Sequence, residues 1–323
     1  MTPPTISVVI PVRNEAAKLA MCLEGILSQT VPVLEILVID SGSTDGTQDI
    51  VRSYTRTRLI EIPGSEFNHG DTRNLGVREA KGEFILFTVG DAWAVDERWI
   101  ERLLSGFVAD DIAVVSGAQV VAHRADTSPL EWFRPVSTPK LSIARFDTPA
   151  AYDAATPNQK HAACAIDDVN ALYRRGVLEK IPFRRVVYGE DVLFAIDAFR
   201  SGYAIARHPG ARVYHWHLDN YDTTLKRTVT VGILRHALFG TLPEHTEEKP
   251  LRIGARLLRE RSVPMAAKLR WWRHRRELDR AITEGVALVR RAAADGPDAL
   301  AALHDRFGGT PPVPLKRQAG AAP

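Results

Sequence analysis

The chain has 323 residues, of which 45% are hydrophobic and 25% are charged, a composition that fits a packed globular protein and excludes extensive disorder. Its net charge of +3 does not require a nucleic-acid partner. No apolar run reaches the roughly 18 residues that a membrane-spanning helix needs. Because the N-terminus leads directly into a strand pattern, we expect a cytoplasmic protein.

The first part of the chain alternates apolar strand patterns with amphipathic helix patterns. Strands are predicted at residues 6–11, 35–40, 58–62 and 84–89. Three helices are predicted between them: one at residues 15–28, a second that follows the turn at 41–46 and ends at residue 51, and a third at 71–80. Strands that alternate with helices form a parallel sheet. The order is therefore typical of the doubly wound nucleotide-binding fold.

Asp91 directly follows the fourth predicted strand. In open α/β sheets, ligands bind just beyond the carboxyl ends of the strands, where a carboxylate can hold a metal or a substrate hydroxyl. An isolated Asp at a strand end can instead cap the next helix. Both readings of Asp91 stay open at this point.

The loop after the first strand argues against two nucleotide-binding classes. It reads Pro11-Val12-Arg13-Asn14-Glu15 and lacks the glycines that bring backbone amides close to a pyrophosphate. A phosphate-binding loop of the GxxxxGK[ST] type is also missing from the sequence. A dehydrogenase or an NTPase is therefore not expected.

Beyond Asp91 the pattern becomes less regular. The span from His123 to His161 is polar and contains several prolines together with Trp132, Phe133 and Tyr152. It is interpreted as an acceptor-side region or a lid, with a variable surface insertion as the alternative. The elements predicted around it are a helix at 93–108, a strand at 112–115, a strand at 169–173, a short helix from 175, a helix at 192–201 and two strands at 203–208 and 211–215.

Several short motifs occur in order along the chain: Asn14-Glu15, Asp40, Asp45, Arg73-Asn74, Asp91-Ala92, Glu190-Asp191 and His215-Trp216-His217. With them the chain resembles the family 2 glycosyltransferases from about residue 6 to residue 232. Residues 39–47, 67–76 and 215–221 are most similar to the rhamnosyltransferase-like branch. The resemblance implies a GT-A type α/β fold, in which a Rossmann-like, mainly parallel sheet carries helices on both faces. It also implies a nucleotide-sugar donor, a divalent metal and inversion at the anomeric carbon.

The resemblance implies a metal site at Asp91, with His217 as a second ligand. Mg²⁺ or Mn²⁺ would stabilise the negative charge of a diphosphate leaving group, and such cations prefer oxygen ligands. The family often has two carboxylates here as Asp-x-Asp, whereas this chain has Gly90-Asp91-Ala92. Without the resemblance, His217 would read as an ordinary histidine.

The other implied roles belong to the acceptor and the nucleotide. Asp191 matches the base that removes the acceptor proton, at a helix start whose dipole would keep it ionised, and Glu190 would position the acceptor or a cation. The structural alternative for this pair is a helix cap. The residues implied to bind the nucleotide sugar are Pro11, Arg13, Glu15, Asp40, Arg73 and Asp91. Arg73 would contact the diphosphate unless it is a solvated helix residue. Asp45 reads instead as a turn or cap residue.

We predict a catalytic domain at residues 1–240 and a basic helical extension at residues 241–323 whose end, after Ala292, is frayed. The extension carries Trp271 and Trp272 among many arginines. It could lie in an anionic membrane interface or pack as a solvated basic face on the catalytic domain.

The sequence thus predicts a metal-dependent inverting glycosyltransferase that moves a sugar, by resemblance rhamnose, to a hydroxyl of a glycan or lipid-linked acceptor. The alternative is a non-catalytic nucleotide-sugar or glycan-binding protein on the same fold. The sequence does not specify the nucleobase, the linkage or the oligomeric state.

Overall fold

The computed structural model describes residues 3–132 and 140–309. The strands in these residues are β1 (Ile6–Val12), β2 (Glu35–Asp40), β3 (Thr57–Glu61), β4 (Phe84–Phe87), β5 (Trp93–Ala94), β6 (Ile112–Val120), β7 (Ser142–Ala144), β8 (Ala171–Arg174) and β9 (Ala204–Tyr214). The helices are α1 (Leu19–Leu27), α2 (Thr47–Ser53), α3 (His69–Glu79), α4 (Trp99–Ser105), α5 (Pro149–Ala154), α6 (Pro157–Ala163), α7 (Arg175–Leu178), α8 (Glu190–Arg200), α9 (Tyr221–Phe239), α10 (Pro250–Arg259), α11 (Met265–Asp295) and α12 (Pro297–Gly308).

The strands form a single sheet in the order β3-β2-β1-β4-β8-β6-β9-β5, and β7 pairs with β9. β3, β2, β1 and β4 run parallel because each of the first three strands in the chain is followed by a helix that returns the chain to the same edge. β8 pairs antiparallel with β4 and β6, whereas β6 and β9 are parallel. The first five residues of β1 and the last five of β2 are buried, as expected for strands covered on both faces. The GT-A fold class is confirmed.

Three predicted elements were wrong. Residues 93–94 form β5, which pairs with β9, and the helix predicted at 93–108 begins only at Trp99. The two strands predicted at 203–208 and 211–215 are one strand, β9, which passes through Pro209 and Gly210. There the pairing with β6 shifts register, so Pro209 lies outside the ladder and its missing N–H breaks no ladder hydrogen bond.

The span from His123 to His161 contains more structure than its composition indicated. It includes β7 and α5, and most of α6. Tyr152 is buried and stacks on Phe199, with ring centroids 5.4 Å apart, so this part of the span belongs to the core. Phe133 lies outside the described residues. The lid function of the span stays a prediction.

The chain divides into two compact units. The described part of the first unit consists of residues 3–120, 140–155 and 162–216, and that of the second consists of residues 121–132, 156–161 and 217–309. The second unit has its own core from α9, α11 and α12, formed by Leu225, Val229, Ile233, Ala281, Val289, Ala292 and Leu300. The predicted boundary at residue 240 stays a prediction.

The frayed end predicted after Ala292 is not seen in the described residues. α11 continues to Asp295, and α12 follows from Pro297, a residue well suited to a first helical turn. Leu300 and His304 on α12 are buried, and this burial stabilises the helix. Among the described residues, no helix is both long and apolar enough to span a membrane.

Gly76 allows α3 to pack closely on the sheet. A Cβ at this position would lie 2.4 Å from Cγ1 of Val9. We expect Gly76→Ala to destabilise the fold by about 1–3 kcal/mol, because this overpacking exceeds the gain in helix propensity. Urea denaturation would measure the change. The control is Gly254→Ala on α10, where a Cβ meets no described atom within 4 Å and the gain in propensity should dominate. Equal stabilisation by both substitutions would contradict the prediction.

Candidate functional site

Asp91 lies in the turn after β4, at the edge of the sheet where β1 and β2 also end. Its side chain is almost completely buried. Nζ of Lys18 lies 3.4 Å from its Oδ2, and Nε2 of His215 lies 3.4 Å from its Oδ1. A buried carboxylate therefore contacts an ammonium and an imidazole at the edge where ligands bind in α/β sheets.

Gln119 orients the imidazole of His215, which directly follows β9. The side-chain amide nitrogen of Gln119 donates to Asp167, so its Oε1 is left to accept a hydrogen bond. Nδ1 of His215 lies 2.7 Å from this oxygen and is therefore the protonated nitrogen. The lone pair of the neutral ring is then on Nε2, the atom that faces Asp91.

Asp91, His215 and His217 could together hold a metal ion, since each offers a ligand atom and these atoms all lie within 4.8 Å of one another. The set of one carboxylate oxygen and two imidazole nitrogens suits Mn²⁺ better than Mg²⁺, which prefers oxygen ligands. The hydrogen bond to Gln119 is the support that ligating histidines usually have. The sequence-based site named His217 and omitted His215. The His-x-His spacing was the available signal, because alternate residues of an extended segment face the same side.

Glu15 lies close to this cluster. Burial raises the pKa of its carboxyl group, and the negative charge of Asp91 raises the pKa further. Its backbone N–H donates to Oγ1 of Thr47, over a distance of 2.8 Å. Asp45 accepts hydrogen bonds from the backbone N–H groups of Ala16 and Thr47, in agreement with its reading as a turn residue. The loops after β1 and β2 are therefore tied to each other.

Asp40 ends β2 and is completely buried. Its Oδ1 accepts hydrogen bonds from the N–H groups of Gly42 and Ser43 and from Nε2 of Gln48. Burial alone would raise the pKa of Asp40, but the hydrogen bonds from Ser43 and Gln48 outweigh it and lower the pKa. Its Oδ2 has no hydrogen-bond partner among the described residues. The ionised carboxylate thus keeps one buried oxygen without a hydrogen-bond partner among the described residues.

The remaining residues predicted near the nucleotide lie at the same edge of the sheet. Pro11 is in β1 and pairs with Ile39 of β2. Arg13 is exposed in the loop after β1, with its guanidinium beside Gly64. Both positions agree with the geometry of a nucleotide site, and their roles stay predictions.

Arg73 lies in a second cluster and is not a solvated helix residue. It is buried on α3, with its Nε 3.0 Å from Oδ2 of Asp168 and its Nη1 2.6 Å from Oε1 of Glu190. Nη1 also donates to the carbonyl oxygen of His69. The guanidinium thus bridges two buried carboxylates in this structure. Its predicted contact with the diphosphate stays a prediction.

Asp168 was not identified from the sequence. It is buried and accepts a hydrogen bond of 2.5 Å from the hydroxyl of Tyr173. Burial raises the pKa of Asp168 to about 6, although Arg73 acts to lower it. No motif marks this residue, because its importance depends on partners from α3 and β8 that only the fold brings near it.

Asp191 lies in the first turn of α8, after Gly189, which has the left-handed φ of 81°. Burial raises the pKa of Asp191 well above its ordinary value, and the carboxylates of Asp168 and Glu190 raise the pKa further. These effects outweigh the helix dipole, which the sequence analysis expected to keep the carboxylate ionised. Its side chain nevertheless remains partly exposed. A partly accessible carboxyl group with a raised pKa is a stronger base than an ordinary aspartate once it is ionised.

Side chains in residues 67–76 make hydrogen bonds to the backbone of residues 183–186, which precede Asp191 in the chain. Asn68 caps α3 and donates from Nδ2 to the carbonyl oxygen of Val186. Asn74 exchanges two hydrogen bonds with the backbone of Phe183. Gly70 leaves room for the carbonyl group of Arg184, whose oxygen would lie 2.2 Å from a Cβ. α3 therefore acts as a platform for residues 183–186 and, through Arg73, for Glu190.

Comparison with known proteins gives one family and one fold. The family model described as Glycosyl transferase family 2 matches residues 7–182. The chain is 29% identical over 237 residues to the O-antigen chain rhamnosyltransferase WbaN of Salmonella anatum, covering 71% of this chain and 72% of the relative. It is 27% identical over 239 residues to the O-antigen chain rhamnosyltransferase RfbN of Salmonella typhimurium, covering 71% of each chain.

Two solved structures share the fold. One is the mannosyltransferase PcManGT from Pyrobaculum calidifontis in complex with GDP-Man and Mn²⁺, with a TM-score of 0.54, 20% identity and coverage of 94% of this chain and 79% of that chain. The other is residues 1–349 of TarS from S. aureus, with a TM-score of 0.51, 18% identity and coverage of 90% and 91% respectively.

Proposed function

Because the chain belongs to glycosyl transferase family 2, we propose that it is an inverting glycosyltransferase that moves rhamnose from a nucleotide-diphosphate sugar to a hydroxyl of a glycan or lipid-linked acceptor. The observation that carries the proposal is the buried carboxylate of Asp91 beside two histidines at the carboxyl edge of the sheet. The names of the two Salmonella relatives support rhamnose as the sugar.

Asp91, His215 and His217 are the residues that would hold a divalent metal. When bound, the metal would neutralise negative charge on the departing diphosphate. Of the two predicted cations, Mn²⁺ fits the two imidazoles better than Mg²⁺. That PcManGT was solved in complex with Mn²⁺ agrees with this choice.

The other side chains act on the acceptor and the nucleotide. Asp191 removes the proton of the acceptor hydroxyl, on the face of the sugar opposite the leaving group. Glu190 and Arg73 hold the first turn of α8 in place. Asp40, at the end of β2, holds the nucleobase or ribose, and Pro11, Arg13 and Glu15 line the same site. The nucleobase itself stays open.

The alternative, a binding protein without turnover, predicts donor binding but no product. A panel of rhamnose, mannose and N-acetylglucosamine donors should be screened with Mn²⁺ by thermal shift, since a ligand of the folded state raises the apparent stability. If the protein releases nucleoside diphosphate from the donor that it binds, the result would support the transferase function. Binding without release, over a range of acceptors, would support the alternative.

We expect Asp91→Ala to weaken Mn²⁺-dependent donor binding at least tenfold, about 1.4 kcal/mol, because the only carboxylate of the proposed metal site is lost. Titration calorimetry with and without a chelator would measure the change. The control is Asp49→Ala on α2, where the removed side chain is 85% exposed. Unchanged affinity in Asp91→Ala would remove this residue from the site.

The proposal places the enzyme in the cytoplasm, peripheral at the inner face of the membrane. A lipid-linked acceptor would be found there. The segment proposed for membrane contact is the basic part of the second unit.

A further inference from the structure

An apolar surface is exposed where α10 is followed by α11, both of which belong to the second unit. It consists of Leu251, Leu258, Met265 and Leu269, which are 88%, 60%, 66% and 49% exposed, and is called the corner surface here. Leu251 and Leu258 are seven residues apart and share one face of α10, and Met265 and Leu269 are four apart and share one face of α11. Exposed apolar side chains that share a helix face in this way mark interaction surfaces.

The internal packing of α10 does not use this face. Ile253 and Leu257 are buried and form the inward side of the helix. Of the tryptophans, which the sequence suggested as membrane anchors, Trp271 is buried and Trp272 is half-buried, with its Nε1 donating to the carbonyl oxygen of Pro250. The side chains that project outward are therefore those of leucine and methionine.

The segment that carries the corner surface is rich in positive charge. Residues 251–273 contain seven basic residues and one acidic residue, Glu260, which accepts hydrogen bonds from Ser262. Arg256 is held by Glu248 and by the carbonyl oxygen of Leu130. The exposed basic side chains around the corner surface are those of Arg252, Arg259, Arg261, Arg270 and Arg273.

We propose that the corner surface docks on an anionic membrane, with its leucines and methionine in the boundary between headgroups and acyl chains and its arginines on lipid phosphates. Apolar side chains ringed by arginine are the combination that interfacial helices use. The inference goes beyond the transfer reaction, and neither depends on the other.

A second copy of the chain is a less suitable occupant. In a twofold interface the same patch meets itself, so the arginines of one corner surface would face those of the other. Like charges at such an interface oppose association. A nucleic acid would match the positive charge but would leave the four apolar side chains in water. The charge and the apolar side chains together favour a lipid surface.

The test is co-sedimentation of the full chain with vesicles of phosphatidylcholine, alone or mixed with phosphatidylglycerol. We expect binding only to the mixed vesicles. The double variant Leu258→Asp/Met265→Asp and the double variant Arg259→Glu/Arg261→Glu should each lower the partition coefficient roughly tenfold or more. The control, Val108→Asp, replaces a side chain in the first unit that is 62% exposed and should bind as the wild type does.

Thermal unfolding of each variant would show that the fold is kept, and donor turnover should be unchanged in dilute solution. Equal partitioning of the wild type and both double variants would overturn the proposal. A wild-type dimer that Leu258→Asp/Met265→Asp converts to a monomer, without vesicle binding, would assign the surface to a second copy. Binding of an oligonucleotide that only the arginine variant loses, again without vesicle binding, would assign it to nucleic acid.

Discussion

Asp191→Asn is expected to lower the rate of sugar transfer by about 10³-fold, because an amide cannot take the proton of the acceptor hydroxyl and a positioned base contributes roughly 10²–10⁴-fold. The amide keeps the size of the side chain, and donor affinity should therefore change little. Single-turnover transfer and donor calorimetry on the same preparation would separate the two quantities. Full activity in Asp191→Asn would show that another group is the base.

The same substitution should make the fold more stable at neutral pH. The pKa of Asp191 is raised in the folded protein by burial and by the carboxylates of Asp168 and Glu190, so the fold prefers the protonated form. Its stabilising contribution is present below the pKa of an unfolded Asp, about 3.9, and is lost as the pH rises through the folded pKa. The asparagine, which does not ionise, avoids that loss.

Urea denaturation near pH 4 and near pH 8 would measure this effect as a difference in unfolding free energy between variant and wild type. The difference should grow from the lower to the higher pH. Asp49→Asn, on an exposed part of α2, should show no such growth. A variant less stable than the wild type at both values would indicate that Asp191 stabilises the fold through its charge.

The pH dependence of transfer should follow the same group. The active form of Asp191 is the ionised one, so the rate should rise with pH until the carboxyl group has lost its proton. Because the pKa is raised, that rise should lie above the ordinary range of an aspartate.

The sequence predicted most accurately what local composition determines. β2 was predicted to the residue, because an apolar run ended by an aspartate has few alternatives, and β1 to within one residue, because the strand continues past Pro11 to Val12. The position of Asp91 at the sheet edge followed from the alternation of strands and helices. β5 was missed because its two residues are a strand only through pairing with β9, more than one hundred residues later.

The candidate site shows the same difference between residues marked by a local motif and residues whose role depends on partners distant in sequence. His217, Glu190 and Asp191 were predicted from their motifs, whereas Asp168 carries no local signal and becomes significant only beside Arg73 and Tyr173. The inward packing of Trp271 could not be predicted either. A tryptophan near arginines has the same local sequence pattern whether its ring faces a core or a membrane. Partners distant in sequence decided each of these cases.

Arg73→Met is expected to destabilise the fold by about 3–5 kcal/mol, because it leaves the buried carboxylates of Asp168 and Glu190 without their shared cation. Methionine roughly preserves the length of the apolar stem, so most of the loss reflects charge. Urea denaturation would measure it. The matched control is Arg78→Met, an exposed arginine on the same helix, which should lie within about 0.5 kcal/mol of the wild type.

The triple variant Arg73→Met/Asp168→Asn/Glu190→Gln tests the cause of this loss. Removing all three charges should recover much of the stability, since a buried ion-pair network can often be replaced by neutral side chains at little cost. Failure to recover stability would mean that Arg73 acts through packing or through its bond to the carbonyl group of His69.

Arg73→Lys then separates positioning from diphosphate binding. If the guanidinium only holds Glu190 and α8, transfer falls while donor affinity stays; if it binds the diphosphate, donor affinity falls as well.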